Sequence, residues 1–403
     1  MGKVNEVVHV NRFNMDHFMD FCSFNSGTII HRSSSTMDCC SWNVNHATMK
    51  LSYNFRVSKG GEYMRTITLG KTGITVPQNA FGALPIQRVS KEVAVQLLRG
   101  AYEGGMRFFD TARAYSDSEE KVGEAFDGMR EKVYLASKTM ATTPEKFRED
   151  LQTTLTNLRT DYLDLYQFHC VKQCYAPGDG TGMYEAMLEA KEQGKIRHIG
   201  ITAHLIGVAE EIVRSGLYET LQFPFSYLAS ERDIALVESC KEAGMGFIAM
   251  KGLAGGLLTN SEACMAFMSQ YDALPIWGIQ REEELQEWLS YFGKDVTMTL
   301  EIRAFIEEER RSLMGDFCRG CGYCMPCTVG IQINQCARMS QLIRRAPSQN
   351  FKGEFWQGEM AKIENCIDCG LCKSKCPYGL DTPNLLRKNL ADYKDIIAGK
   401  VEV

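Results

Sequence analysis

Residues 133–169 read VYLASKTMATTPEKFREDLQTTLTNLRTDYLDLYQFH. Val133–Lys138 and Tyr162–His169 are short runs of β-type residues, and Thr143–Leu158 between them is an amphipathic helical stretch. The stretch therefore predicts one strand–helix–strand crossover, the building unit of a parallel sheet. The same alternation continues on both sides. Further strands are expected at Asn79–Leu84, Arg107–Thr111, His198–Thr202, Thr220–Phe225, Gly246–Lys251 and Ala273–Gly278, with helices such as Arg232–Ala243 filling the gaps. Eight such units between residues 78 and 290 fit a closed (β/α)8 barrel, an α/β TIM-barrel fold, better than an open sheet. Ahead of the first strand, Arg65–Val76 holds two alternating runs around a glycine turn and predicts a β-hairpin. Beyond the last, Thr297–Leu313 predicts a helix rich in Glu and Arg. It leads without a Gly/Ser linker into a cysteine-rich region, so the second domain is expected to rest on the barrel.

The 403 residues are 44% hydrophobic and 24% charged, which is room for one large domain and a smaller one. Net charge is -5 with both signs interspersed, so no electrostatic footprint marks a nucleic-acid or anionic-membrane partner. No apolar run approaches the roughly 18 residues that span a bilayer, and no basic-then-apolar signal opens the chain, so a cytoplasmic location is expected. Residues 1–63 are short on periodicity and hold four of the seven histidines, His9, His17, His31 and His46. A disordered leader with Met64 as the true start is expected there. A His/Cys metal tract around Cys39 and Cys40 has no ligand spacing behind it. The expected division is a leader over 1–63, a barrel over 64–313, and a small, mainly α-helical cysteine domain with a tail over 314–403.

Eight of the sixteen cysteines fall in two runs. Cys318, Cys321, Cys324 and Cys327 form CxxCxxCxxC, and Cys366, Cys369, Cys372 and Cys376 form CxxCxxCxxxC followed by Pro377. Three thiolates on one tight loop reach three corners of a 4Fe-4S cubane, and the fourth corner commonly comes from the last cysteine of the opposite run. Two 4Fe-4S clusters in a ferredoxin-like domain follow, one on Cys318, Cys321, Cys324 and Cys376, the other on Cys366, Cys369, Cys372 and Cys327. Structural zinc is the rival, but two runs of four supply ligands in the wrong grouping for two independent zinc ions. The first run is one residue shorter at its end and has Thr328 where the second has Pro377, which leaves Cys336 as a spare ligand. The remaining cysteines, including Cys170 and Cys174, read as incidental thiols.

Asp110, Lys138 and His169 end three successive strands, and in a barrel those ends share one mouth, where active sites are built. Tyr115 lies five residues past Asp110 in the following loop. The four make a proton-delivery device. An adjacent ammonium is expected to lower the Tyr115 phenol pKa, Asp110 to hold Lys138 charged, and His169 to hydrogen-bond a substrate oxygen. The chemistry implied is protonation of a carbonyl oxygen while hydride reaches carbon. The plainer readings are an ordinary strand-end salt bridge and a structural histidine.

Gly105–Tyr115, Ser137-Lys138-Thr139 and Asp164–His169 together resemble the aldo-keto reductase signature. With the cysteine runs appended, the chain is similar to the ferredoxin-containing branch of that family from about residue 64 onward. The resemblance implies Tyr115 as general acid, Asp110 and Lys138 as its activators, and His169 as the donor that orients substrate. It also places Gly82, Leu84, Thr202, Gln222, Lys251, Leu253, Gly278 and Arg281 around an NAD(P)H cofactor. The family's Ser-Asn pair, which grips the carboxamide, corresponds here to Thr202-Ala203, and its stacking aromatic to Met250. Glu282, Glu283 and Glu284 stand where the family binds the adenosine phosphate and would repel a 2′-phosphate, which leans the reading slightly to NAD; a solvated helix start explains the same three residues. The expected function is NAD(P)H-linked reduction of a small aldehyde or ketone, with the clusters exchanging electrons with an external carrier. The alternative is a non-catalytic electron-transfer subunit with a vestigial barrel site. Hydride moves two electrons and each cluster one, yet no flavin motif is evident to convert between them. Tyr175, Phe223 and Tyr227 are candidates for the pocket wall, each equally an ordinary barrel aromatic.

Overall fold

The computed structural model describes residues 65–313, 317–320, 322, 324–345, 348–376 and 379–403. The leader, the cluster candidate Cys321 and Pro377 lie outside the described residues. β1 (Thr66–Thr68) and β2 (Thr75–Pro77) pair antiparallel around a turn in which the Thr72 hydroxyl donates to the Leu69 carbonyl at 2.7 Å. The barrel follows as β3 (Ala80–Gly82), β4 (Phe108–Asp110), β5 (Tyr134–Thr139), β6 (Leu163–Val171), β7 (Ile196–Ala203), β8 (Thr220–Pro224), β9 (Gly246–Met250) and β10 (Ala273–Gly278). All pair in parallel with their sequence neighbours, and β10 closes the ring on β3.

The crossovers are α1 (Lys91–Glu103), α2 (Ser118–Ala125), α3 (Pro144–Asn157), α4 (Met183–Glu192), α5 (Ile206–Ser215), α6 (Glu231–Ala243), α7 (Ser261–Met268) and α8 (Glu282–Leu289). Their boundaries have local causes. Thr143 caps α3 by accepting the Lys146 N–H, with Pro144 in the first turn, and α6 opens on a Ser230/Asp233 capping box. Along the strands, Phe81, Phe109, Leu135, Tyr166 and Phe168 point outward into the helical layer. The alternate residues Ala80, Phe108, Ala136, Leu165, Ile248 and Leu274 form a separate apolar cluster with Ile67, Leu69, Ile74 and Val76 of the hairpin. The hairpin thus stoppers the N-terminal end of the barrel.

That stopper requires close backbone approach. Gly70 has φ +51, and a Cβ there would lie 2.4 Å from both the Gly244 carbonyl oxygen and the Gly246 nitrogen. Gly70→Ala is expected to destabilise the fold by about 1–3 kcal/mol, read as a lower urea midpoint with an unchanged slope. An unaltered midpoint would mean that the hairpin is not seated.

α9 (Leu300–Leu313) leaves the barrel, tied back by Arg310 Nε, which donates to the Tyr227 carbonyl at 2.5 Å. The cysteine region is built from α10 (Ile333–Cys336), α11 (Met339–Arg345), α12 (Gln349–Lys352), α13 (Glu354–Ala361), α14 (Leu371–Ser374) and α15 (Thr382–Ile397). Ile331, Ile333, Met339, Ile343, Met360, Ile363, Leu386 and Tyr393 make its own small core, and Phe351 packs against both cores. No helix among the described residues is long and apolar enough to cross a membrane.

Candidate functional site

Strand register brings the sequence-predicted positions to the C-terminal end of the barrel. Gly278 stands beside Gly82, Gly82 beside Asp110, Lys138 beside Gln167, and Thr202 beside Gln222. Lys138 and Asp110 are buried, and Lys138 Nζ donates to Asp110 Oδ1 at 2.5 Å and to the Thr111 carbonyl at 2.6 Å. Gln167 Nε2 donates to the other Asp110 oxygen at 3.3 Å and to Gln222 Oε1 at 3.1 Å. Burial opposes the Lys138 charge, but the Asp110 carboxylate and Tyr115 outweigh it and hold the ammonium above the usual lysine range.

Tyr115 leans over this pair, with Lys138 Nζ 5.1 Å from its ring centroid and the His169 ring edge-on at 5.6 Å. Burial pushes its phenol up, and the opposing pull of Lys138 does not reverse that. The expectation of a lowered phenol pKa is therefore corrected: desolvation at the mouth outweighs the neighbouring charge, and the tyrosine keeps its proton. His169 is pushed down to about 3 by burial, then by Lys138 and His204, so it is a neutral imidazole, and its Nδ1 is buried without a hydrogen-bond partner.

Sequence reasoning missed the Gln167 link and a second pair beside it. A register shift between Phe168 and Val171 places His169 and Cys170 in an irregularity of β6. Cys170 Sγ lies 3.6 Å from His204 Nδ1, and its N–H donates to Thr202 Oγ1 at 2.7 Å. Their positions at the ends of β6 and β7, next to His169 and to Thr202-Ala203, were the available signal. Cys170, Lys251 and Ala254 take positive φ values of +55, +58 and +48, and such non-glycine strain collects at functional sites.

His204 is likewise pushed down to about 3, by burial and then Lys251. A histidine held neutral in the fold binds a proton more readily once unfolded, so stability falls as pH drops from the ordinary histidine range toward the depressed values. Unfolding midpoints measured down this window are expected to fall less steeply in His204→Asn than in the parent chain. Equal slopes would remove His204 from the acid response.

The nucleotide positions divide. Thr202 accepts the Cys170 N–H and keeps a hydroxyl proton to donate, and Gln222 is buried beside it. Leu84 is exposed at the rim, while Leu253 packs on the barrel core. Arg281 is engaged by Glu284, with Nη2 2.7 Å from Oε1, and Glu284 Oε2 accepts the Gln280 N–H at 2.9 Å. Glu282, Glu283 and Glu284 thus form the first turn of α8, as the helix-start reading has it. Tyr175 stacks edge-on with Phe168 and Tyr227 is fully buried, so both are barrel aromatics, whereas Phe223 lines a cavity with Lys251, Ala254 and Arg319.

In the cysteine region, Cys324, Cys327, Cys366, Cys369 and Cys372 line one cavity, joining the end of the first run to the second. Thr328 Oγ1 lies 4.0 Å from Cys369 Sγ across the two runs. Cys318 is buried and accepts the Gly320 N–H at 3.4 Å, and Cys376 is partly buried. Cys336 turns elsewhere: its thiol donates to the Glu359 carbonyl at 3.8 Å, and burial pushes it up to about 12. It serves the small core, which corrects its reading as a spare ligand. Among the described residues, no three His, Cys, Asp or Glu side chains converge on the position of a single metal ion.

The aldo/keto reductase family model matches residues 78–275. Methylglyoxal reductase DkgB of Salmonella typhi is 31% identical over 214 residues, half of this chain and 76% of that protein. The chain belongs to the aldo/keto reductase family. A 4Fe-4S dicluster domain model matches residues 317–381, so this is an aldo/keto reductase barrel carrying a ferredoxin-type domain. Aldo-keto reductase YhdN of Bacillus subtilis is 29% identical over 216 residues, and the match spans 49% of this chain and 64% of that relative. Among solved structures, an aldo-keto reductase from Klebsiella pneumoniae in complex with NADPH superposes with a TM-score of 0.52 at 22% identity, covering 61% of this chain and 94% of that one. The likeness is one of fold.

Proposed function

We propose that this aldo/keto reductase reduces a small aldehyde or ketone with a nicotinamide dinucleotide, Tyr115 acting as general acid, in a barrel domain over 64–313. The cysteine domain over 314–403 then holds two 4Fe-4S clusters that exchange electrons with an external carrier. The carrying observation is the buried Lys138–Asp110 pair beneath a Tyr115 that stays protonated, beside a neutral His169. A carbonyl oxygen set between Tyr115 and His169 takes a hydrogen bond from the imidazole and the proton from the phenol, and the Lys138 ammonium stabilises the phenolate left behind. Asp110 keeps that ammonium charged and in place.

Thr202 and Gln222 would hold the carboxamide end of the dinucleotide, with Gly82, Lys251, Leu253 and Gly278 around it. When bound, the reduced nicotinamide supplies hydride to the carbonyl carbon. The residues fit because Thr202 retains a donor proton after accepting from Cys170. At the adenosine end, Arg281 is already paired and three glutamates follow it, which supports NAD over NADP. The cavity that gathers Cys324 and Cys327 with Cys366, Cys369 and Cys372 supports one cubane held by Cys327 and the first three cysteines of the second run, with Cys324 assigned to the other beside Cys318, Cys321 and Cys376. Cys369 and its neighbour Ile367 are exposed, which suits electron exchange with a carrier at that edge.

Anaerobic purification with iron and sulfide assays, followed by NADH or NADPH addition while the cluster absorbance is watched, tests this reading. About eight irons per chain are expected, with bleaching by NADH and turnover of small carbonyls such as methylglyoxal. Cys327→Ser is expected to lose about half of the iron. Iron near zero would sink the cluster assignment. Full iron without nucleotide binding or carbonyl turnover would instead favour the electron-transfer subunit, which the loss of the Asn at Ala203 favours.

A further inference from the structure

We propose that the Arg338 guanidinium is the buried counter-charge of the cluster on the first cysteine run, raising its reduction potential and fixing it against the barrel mouth. The inference rests on the assignment of that run to a 4Fe-4S cluster. Arg338 follows α10 and is only 6% exposed. Its Nη1 donates to the Ala254 carbonyl in the loop after β9 at 3.4 Å, and its Nη2 donates to Gln335 Oε1 at 3.1 Å. Its Nε is buried with no hydrogen-bond partner. Among the described residues no carboxylate pairs with it.

Both backbones that flank the guanidinium are glycine where it passes. Gly320, inside the first cysteine run, has φ +67, and a Cβ there would lie 2.8 Å from Arg338 Cζ. Gly255, in the loop after β9, has φ +72, and a Cβ there would lie 2.6 Å from Nη1. The same barrel loop meets the cysteine run a second time, since Arg319 lines a cavity with Lys251 and Ala254. Arg338 therefore stands between the loop that ends β9 and the loop that carries Cys318.

A desolvated guanidinium is costly unless an opposite charge faces it. The backbone facing the guanidinium at Gly320 belongs to the loop that carries the Cys318 thiolate two residues earlier. Thiolate ligands make a cubane net negative, and one-electron reduction adds a further negative charge. A buried cation close by therefore favours the reduced state, since charge and dielectric around a cluster set its potential. Among the described residues no buried arginine or lysine joins the second run, whose Asp368 is paired with the exposed Arg387.

The test is an EPR-monitored potentiometric titration of the full chain, purified anaerobically, comparing the parent with Arg338→Gln, Arg338→Met and Arg338→Lys. The parent must first show two cluster signals and about eight irons, because a failure there sinks the cluster assignment rather than this inference. With that in place, the two neutral variants are expected to make one cluster at least tenfold harder to reduce, a midpoint lower by about 59 mV for one electron. The other midpoint should stay fixed, and Arg338→Lys should restore most of the shift. If both neutral variants lose half of the iron while Arg338→Lys keeps it, the charge is again shown to be what the cluster needs. Unchanged midpoints at full iron, an equal shift of both clusters, or iron loss in all three variants would overturn the proposal.

Discussion

Tyr115→Phe is expected to lower kcat for carbonyl reduction by roughly 10²–10⁴-fold, the range that a positioned acid supplies. Dinucleotide binding, read by quenching of NADH fluorescence, should be retained, because the substitution removes one hydroxyl at the rim and leaves Thr202 and Gln222 in place. The pH dependence has a definite sign. Only the protonated phenol can donate, and burial raises its pKa despite Lys138. The kcat profile of the parent should therefore be flat through the neutral range and fall only above the ordinary tyrosine value. A parent rate that falls through neutrality, or a Tyr115→Phe variant with full kcat, would remove this residue from the acid's role.

The second large effect is structural as well as catalytic. Lys138→Met leaves the Asp110 carboxylate buried, with Gln222 and, at 3.3 Å, Gln167 as weak remaining donors. Breaking a buried pair on one side costs about 3–5 kcal/mol. Adding Asp110→Asn should recover most of that stability, since no charge is then stranded, while activity stays lost in both variants. The raised lysine pKa fixes the linkage on the alkaline side: the lysine's contribution is complete below its ordinary value and is lost only as pH rises through the higher folded value, while burial raises the Asp110 carboxyl despite Lys138. The lysine's share of the stability difference should therefore be constant across neutral pH. Urea melts of the single and double variants check this, and a double variant no more stable than Lys138→Met would mean that the pair is not the charged unit described.

Much of this was legible beforehand because the barrel writes its period into the chain. Each of the eight strands falls where alternating runs placed it, from Ala80–Gly82 to Ala273–Gly278, and the hairpin and the helix at Leu300–Leu313 follow suit. Asp110, Lys138 and His169 could be gathered in advance because strand ends converge in a parallel barrel. Side-chain direction was not legible. Nothing in spacing shows that Cys336 faces Glu359, that Arg281 is taken by Glu284, or that Cys170 meets His204 across two strands. Nor could the direction of the Tyr115 shift be read, because it depends on how much water the mouth admits. Arg338 was hidden for the same reason, as one arginine among many until two distant glycines are seen to make way for it.

A barrel corked by its own N-terminal hairpin is a cul-de-sac. Whatever enters must displace water back along the path by which it came, and product leaves by the same door as substrate. Choice of guest is thereby delegated to the loops after β4, β6 and β9 and to the cysteine run that abuts the last of them, while the corked end answers only for holding the ring together. Selectivity and robustness sit at opposite poles of the molecule, where each can drift without disturbing the other.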